Sequence, residues 1–346
     1  MPALRLATYN VEWFNTLFDD AGGLLLDDGP SARHKVSRAQ QLTALGTVFA
    51  ALNADGVMII EGPDTSGSRS TVAALHSFAR HFGLRARQAM IGYTSDTEQE
   101  IAFLYDPDVL TAQHDPQGDL APTRGAPGAP RFDSQLRLDT DGDGRDDLVR
   151  FSKPPLELAV TLVDGQNLRL IGVHAKSKAA HSRNPNVDLH ALAIENRRKQ
   201  LAECLWLRTR VLRHLQARDP LIVLGDFNDG PGLDDYEQMF GKSSVEVVMA
   251  PDAPEDLQMF DPHAAFAIKF PDGAAPTTAR FWIDPTRSYF EALIDFIMLS
   301  PDLAKRQPVW RIWHPLADAA IIASPALRDA LLSASDHFPV TLDLPM

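Results

Sequence analysis

Strand-like and helix-like patterns alternate along most of the chain. LRLATYNV (4–11) reads as an opening strand, and GVMIIE (56–61) as a second. Between them, apolar Leu42, Leu45, Val48, Phe49 and Leu52 recur at helical spacing near residues 35–52. A second helix is expected over 70–82, and EIAFLYD (100–106) reads as a strand. ELAVTLVDGQNLRLIGVHAKS (157–177) holds two β-rich runs around Asp164-Gly165, the signature of a hairpin. Residues 191–217 place Ile194, Leu201, Leu205, Leu212 and Leu215 on one side of a long helix. That helix leads into LIVLGDFN (221–228), a continuous apolar run of the buried-strand kind. ALIDFIML (292–299) and PVTLDL (339–344) complete the series, and no internal repeat is apparent. Strands interleaved with helices predict an α/β protein. Residues 114–134 are rich in Pro, Gly and Ala and lack periodicity, so they read as a loop or insertion and not as a domain linker. The expectation is therefore one domain over 1–346 with an insertion at about 114–150.

Composition changes this picture little. Of 346 residues 45% are hydrophobic, enough for a sizeable core, and no apolar run is long enough for a membrane span. Cys204 is the single cysteine, which excludes an intrachain disulfide and a sulfur-rich zinc site. With no signal-peptide pattern at MPALRLATYN, the expected location is cytoplasmic. The formal net charge is −13, opposite in sign to what duplex-DNA binding favours. Between 176 and 218, however, Lys176, Lys178, Arg183, Arg197, Arg198, Lys199, Arg208, Arg210, Arg213 and Arg218 outnumber the acids. This run is either a solvated helix face or a patch for a polyanion.

The chemistry lies where polar residues interrupt or end the apolar runs. Asn10 ends the first strand and Glu61 the second, while His174 stands inside LIGVHAK. Asp226 and Asn228 follow LIVLG, Asp295 interrupts ALIDFIML, and Asp336-His337 precede the last strand. Carboxylates, amides and imidazoles are costly to desolvate at core strand ends unless they serve one another, a metal or a ligand. Singly, Asp226 could be a turn residue and His174 a hydrogen-bonded core histidine. Together they point to one pocket beyond the strand ends.

The segments TYNVEW (8–13), MIIEG (58–62), GVHAKSK (172–178), LGDFND (224–229), LIDFIMLS (293–300) and SDHFPV (335–340) resemble the endonuclease/exonuclease/phosphatase superfamily, in its order and across nearly the whole chain. The resemblance implies a four-layer α/β sandwich, two packed mixed sheets flanked by helices, with the site at one end. It further implies a Mg²⁺- or Mn²⁺-dependent phosphoesterase. Glu61 corresponds to the principal metal ligand, with Asn10 beside it and Asp336 as a second metal-side carboxylate. Asp226 would orient or deprotonate the attacking water, Asn228 hold the phosphate, and His337, oriented by Asp295, bind or protonate it. His174 matches a second acid/base histidine of the nuclease and sphingomyelinase branches. A hard divalent cation suits an oxygen-rich set of this kind. Glu98 and Glu100 are candidate partners for His174, and Glu12 stands where some relatives have aspartate.

A second metal motif is LDTDGDGRDDL (138–148), with Asp139, Asp141 and Asp143 alternating before Gly144 and Asp147 following. It reads as a structural Ca²⁺ loop, against the plainer reading of an acidic exposed turn; Arg150 stands where the bidentate carboxylate belongs. Trp13 and Phe14 read as packing residues. The leading expectation is a phosphodiesterase or nuclease whose substrate could be a nucleic acid. The alternatives are a phosphomonoesterase for small phosphorylated or lipid-headgroup substrates, and an inactive, calcium-stabilised binding protein.

Overall fold

Period-two alternation decides which side chains meet between the sheets of this protein. The computed structural model describes residues 3–140, 142–179, 187–232, 240–271, 273–284 and 286–346. One six-stranded sheet runs in the order β14 (Val309–Ile312), β15 (Val340–Leu344), β1 (Leu4–Asn10), β2 (Gly56–Gly62), β4 (Glu100–Tyr105), β3 (Gln88–Ile91). A five-stranded sheet runs β13 (Asp295–Leu299), β10 (Leu221–Asp226), β9 (Asn167–His174), β8 (Leu156–Leu162), β5 (Leu110–His114). Each is mixed, with a parallel pair inside it, β1–β2 in one and β9–β10 in the other.

Alternate residues of both sheets fill the space between them. Leu4, Leu6, Met58, Ile60 and Phe103 from the first meet Leu158, Leu170, Ile222, Leu224 and Ile297 from the second in one buried cluster. The outer face of the first sheet packs Ala7, Tyr9, Val57 and Ile59 against Leu45 and Phe49 of α1 (Arg38–Leu52) and Phe78 of α2 (Thr71–Phe82). The outer face of the second packs Ile171, Val173 and Val223 against Trp206, Leu207 and Val211 of α3 (Leu189–Ala217). Helix, sheet, sheet and helix make the four-layer sandwich that the motifs implied.

Helix boundaries follow their caps. Ser37 and Gln40 form a reciprocal capping box that starts α1 at Arg38, later than the apolar pattern alone indicates. Asp188 accepts from the amides of His190 and Ala191 and starts α3 earlier. The Pro/Gly-rich insertion is fastened down under α3: Phe132, Leu136 and Val149 join that helix's core, and Trp206 donates to the Pro130 carbonyl at 2.9 Å. It also forms the small hairpin of β6 (Leu136–Leu138) and β7 (Asp147–Val149).

The run expected as one strand from 292 is two. β12 (Ser288–Ala292) pairs with β11 (Ala279–Ile283) in a separate hairpin, and β13 begins only at Asp295. The Thr278 hydroxyl accepts from the amides of Ile294 and Asp295, both at 3.0 Å, and holds the break open.

The basic run is neither a solvated face nor an open patch where it is most buried. Arg197 pairs with Asp229 at 2.5 Å and Arg210 with Glu157, while Arg208 donates to the carbonyls of Val248 and Leu257. Arg183 lies outside the described residues. No helix among the described residues is long and apolar enough to cross a membrane.

Candidate active site

The polar strand ends continue the rows that fill the space between the sheets. On β10 the row Ile222, Leu224 is followed two residues on by Asp226; on β9, Leu170 and Gly172 lead to His174; on β13, Leu299 and Ile297 lead back to Asp295. Register places Asp226 directly between His174 and Asp295. From the facing sheet Leu4, Leu6, Thr8 and Asn10 form the matching row. Gly225 makes this possible: at φ 146° its backbone suits glycine, and a Cβ there would lie 2.0 Å from the Val173 carbonyl oxygen.

Asn10 joins the two sheets. Its Nδ2 donates to Asp226 Oδ2 at 3.1 Å and faces Glu61 Oε1 at 3.4 Å, while its Oδ1 accepts from the Glu12 amide at 3.0 Å. So disposed, it turns its donor to both carboxylates. Glu61 sits on a β-bulge of β2 at φ 61°, and its other oxygen accepts from the Trp13 amide at 2.9 Å. A non-glycine residue in left-handed backbone on a bulge is how a strand re-aims one functional side chain.

His337 Nδ1 lies 2.8 Å from Asp295 Oδ2, and its Nε2 is 4.0 Å from both Asp226 and Asp336. Burial alone would lower the imidazole pKa, but Asp295, the hydrogen bond to it, Asp226 and Asp336 outweigh that and hold it well above the ordinary value. Burial, with Asp295 nearby, pushes Asp226 up to about 7. Asn228, at φ 50°, donates its amide to Asp226 Oδ1 at 2.7 Å and its Nδ2 to the Ala175 carbonyl at 3.1 Å. Gln200 of α3, buried and not singled out by any motif, donates to the carbonyls of Lys176, Phe227 and Asn228 and fixes the loop.

His174 has a partner that the sequence did not reveal. Glu100 is taken by the amides of Ser95 and Thr65, and Glu98 by Asn15. Lys153 Nζ instead lies 3.0 Å from His174 Nε2, itself 3.8 Å from Asp226. Lys153 is only 8% exposed, and among the described residues it forms no ion pair. An ammonium is donor-only, so it fixes the imidazole proton on Nδ1. Burial, then Lys153 and His337, hold the His174 pKa well below the ordinary value. Lys153 stands before Pro154-Pro155 in a segment without periodicity, which is why it reads as a loop lysine in sequence.

The site's donor set fits a hard divalent cation. Asp336 is raised by burial, with Glu61 adding repulsion against it, and its backbone amide donates to Glu12 at 2.9 Å. Glu12 is already paired with Arg33 at 2.5 Å. Of the remaining carboxylates, Glu61 faces the Asn10 amide and Asp336 has the His337 ring 4.0 Å away, so both keep oxygens for a cation beside Asn10. Separately, ligand atoms of Asp226, Asp295 and His337 lie within 4.8 Å of one another, and among the described residues Asp295 Oδ1 is buried without a partner. In the expected calcium loop, which is largely exposed, Asp139 accepts from the amides of Gly142 and Gly144, Asp143 from that of Arg145, and Asp147 from that of Thr140. Asp141 lies outside the described residues. Phe14 is buried as expected, whereas Trp13 is 43% exposed.

The chain belongs to the Endonuclease/Exonuclease/phosphatase family, whose model matches residues 7–337. Members of the family are phosphoric ester hydrolases that generally use divalent metals. A protein of the same family from Bacteroides thetaiotaomicron is 14% identical at a TM-score of 0.50, covering 99% of this chain and 98% of that one. A mannosyl-6-phosphatase from the same organism is 13% identical at 0.50, covering 99% and 100%. The human Nocturnin catalytic domain is 14% identical at 0.48, covering 100% and 95%. At identities this low, the two Bacteroides thetaiotaomicron structures show the fold alone. No curated protein matches the chain.

One neighbour of the site tests its electrostatics through stability. Glu203 on α3 is buried, accepts from the Lys176 amide at 2.8 Å, and is pushed by burial to about 7. A carboxyl raised on folding contributes stability below its ordinary pKa and loses it as pH rises through the folded value. Glu203→Gln keeps the acceptor and removes that loss. The expected result is a melting temperature about 2–4 °C higher than wild type at pH 8 and little changed at pH 5. A variant less stable at pH 8 would contradict this.

Proposed function

We propose that the protein is a Mg²⁺- or Mn²⁺-dependent phosphodiesterase, acting on nucleic acid or a related diester by in-line attack of an activated water. The observation that carries this reading is the register that sets Asp226 between His174 and the Asp295–His337 pair, beside a buried lysine. Glu61 and Asp336 would hold the cation, which when bound neutralises phosphate oxygens and helps stabilise the leaving oxygen. Asp226, raised toward neutrality, takes the proton of the attacking water. His337, held as imidazolium by Asp295, donates to the phosphoryl group or its leaving oxygen. Asn228 holds the phosphate, and Lys153 meets its negative charge from the side of β9. His174, neutral and with Nε2 engaged, positions Lys153 in this state and becomes an acid or base only when that contact opens.

A diester is favoured over a monoester by the wall next to His337. The Phe281 ring packs against its imidazole at 5.4 Å between centroids, an apolar neighbour suited to a second ester substituent and not to a third anionic oxygen. Hydrolysis of bis-p-nitrophenyl phosphate beside p-nitrophenyl phosphate tests this. The diester should be cleaved faster, with Mg²⁺ or Mn²⁺ and not with EDTA. Preference for the monoester would make the protein a phosphatase, and silence on both with every metal would leave the binding-protein reading.

A further inference from the structure

We propose that Trp13 is a specificity-determining residue, its indole the wall against which a flat ring carried by one ester group of the diester lies, on the Glu61 side of the phosphate. This rests on the phosphodiesterase reading and adds the residue that discriminates among diesters. The turn after Asn10 is strained. Glu12 at φ 49° and Trp13 at φ 56° follow one another in left-handed backbone, where a side chain crowds its own carbonyl and a bulky one is an outlier. Glycine or asparagine adopts that conformation at less cost. The turn itself has a clear use. The Glu12 amide donates to Asn10 Oδ1 at 3.0 Å and the Trp13 amide to Glu61 Oε2 at 2.9 Å, so two successive amides aim the groups beside the cation. Both contacts need only backbone, however, and any residue but proline supplies an amide. They leave the indole unexplained.

Packing does not explain it either. Phe14, next in the chain, turns into the core and meets Phe18 and Phe78 edge-on at 4.9 and 5.1 Å. The Trp13 carbonyl accepts from the amide and the hydroxyl of Thr16, at 3.0 and 2.9 Å. These contacts fix the backbone that carries Trp13, but they do not use its side chain. The residue is 43% exposed, and among the described residues no ring or cation packs against the indole. A bulky residue held in costly backbone at a functional site points to a use for its side chain there. Its position supplies that use. β15, β1 and β2 are neighbours in the first sheet, so His337, just before β15, and Glu61, on β2, flank Asn10 from opposite sides. Phe281 stands against the ring of His337, and Trp13 stands at Glu61. A diester has two substituents, and the site has an aromatic wall for each. An indole face attracts a second ring by offset stacking and offers a methyl group far less.

The test follows hydrolysis of bis-p-nitrophenyl phosphate with Mg²⁺ or Mn²⁺, inhibited by diphenyl phosphate or by dimethyl phosphate, one diester with rings and one without. Wild type should bind diphenyl phosphate the more tightly. Trp13→Asn suits the left-handed turn and keeps the amide on Glu61. It should weaken diphenyl phosphate about tenfold and leave dimethyl phosphate where it was. For the chromogenic diester the loss should fall on KM and not on kcat, with the Mg²⁺ requirement unmoved. Trp13→Phe should keep most of the preference for rings. Circular dichroism checks the fold, and Trp13→Gly gives the same reading should asparagine disturb the turn. A merely structural Trp13 predicts the reverse, a fall in kcat with the ratio of the two inhibition constants unchanged. That result, or a ring preference undiminished without the indole, overturns the inference. Wild type that cleaves the diester but does not distinguish the two inhibitors sinks the inference alone. Wild type that cleaves no diester sinks the phosphodiesterase reading and the inference with it.

Discussion

Asp226→Asn should lower kcat by about 10²- to 10⁴-fold while the protein stays folded. Asparagine retains an oxygen to accept the Asn228 amide, now at 2.7 Å, but it cannot take a proton from water. Stability should fall modestly, by about 1 kcal/mol, because the new NH2 faces the Asn10 Nδ2 that donates to Asp226 Oδ2. Burial already pushes the Asp226 carboxyl to about 7, so the fold gains little from the ionised form at neutral pH. The same displacement sets the pH profile. A raised carboxyl acting as base is protonated and idle below its pKa, so wild-type kcat/KM should rise with pH through about 7. The residual rate of the variant should lack that limb. Turnover within a few-fold of wild type, or a variant that acquires activity as pH falls, would remove Asp226 from the role of base.

Lys153→Met should show the next largest effect, a loss of about 10²-fold or more in kcat, with thermal stability unchanged or raised. Methionine fills much of the same volume without charge. A lysine buried to 8% exposure with no ion pair among the described residues is a cost to the fold, because burial penalises its charged form. If that ammonium were merely structural, losing its contact with His174 would weaken the protein and leave turnover nearly intact. If it meets the phosphate, activity falls while stability holds, and Lys153→Arg restores part of the rate. A destabilised variant with normal turnover would refute the catalytic placement.

How much of this was legible beforehand depended on the range of each cause. Strands with period-two or continuous apolar patterns, β1, β2, β9 and β10 among them, carry their burial in their own residues. So do the polar groups that end them, and Asn10, Glu61, His174, Asp226, Asp295 and His337 could be singled out from the chain alone. Lys153 could not, because its significance arises from a residue 21 positions away. Gln200 likewise looks like an ordinary helical glutamine until α3 lies across the LGDFN loop. The split of 292–299 into two strands depends on the Thr278 hydroxyl, a contact across 16 and 17 residues that no local pattern announces. The Glu98 or Glu100 pairing with His174 failed for the same reason: both carboxylates had nearer backbone and side-chain donors. The basic run misled in another way, since counting charges does not reveal which of them are internal.

The site is assembled from both extremities of the fold. Asn10 and Glu61 come from the first strands, His337 immediately precedes the last, and the Ser335 hydroxyl donates to the Asn10 carbonyl at 2.8 Å while accepting the His337 amide at 3.0 Å. β15 then zips onto β1. Closing of the first sheet and assembly of the site are therefore one event: until β15 pairs with β1, His337 has no fixed place beside Asn10.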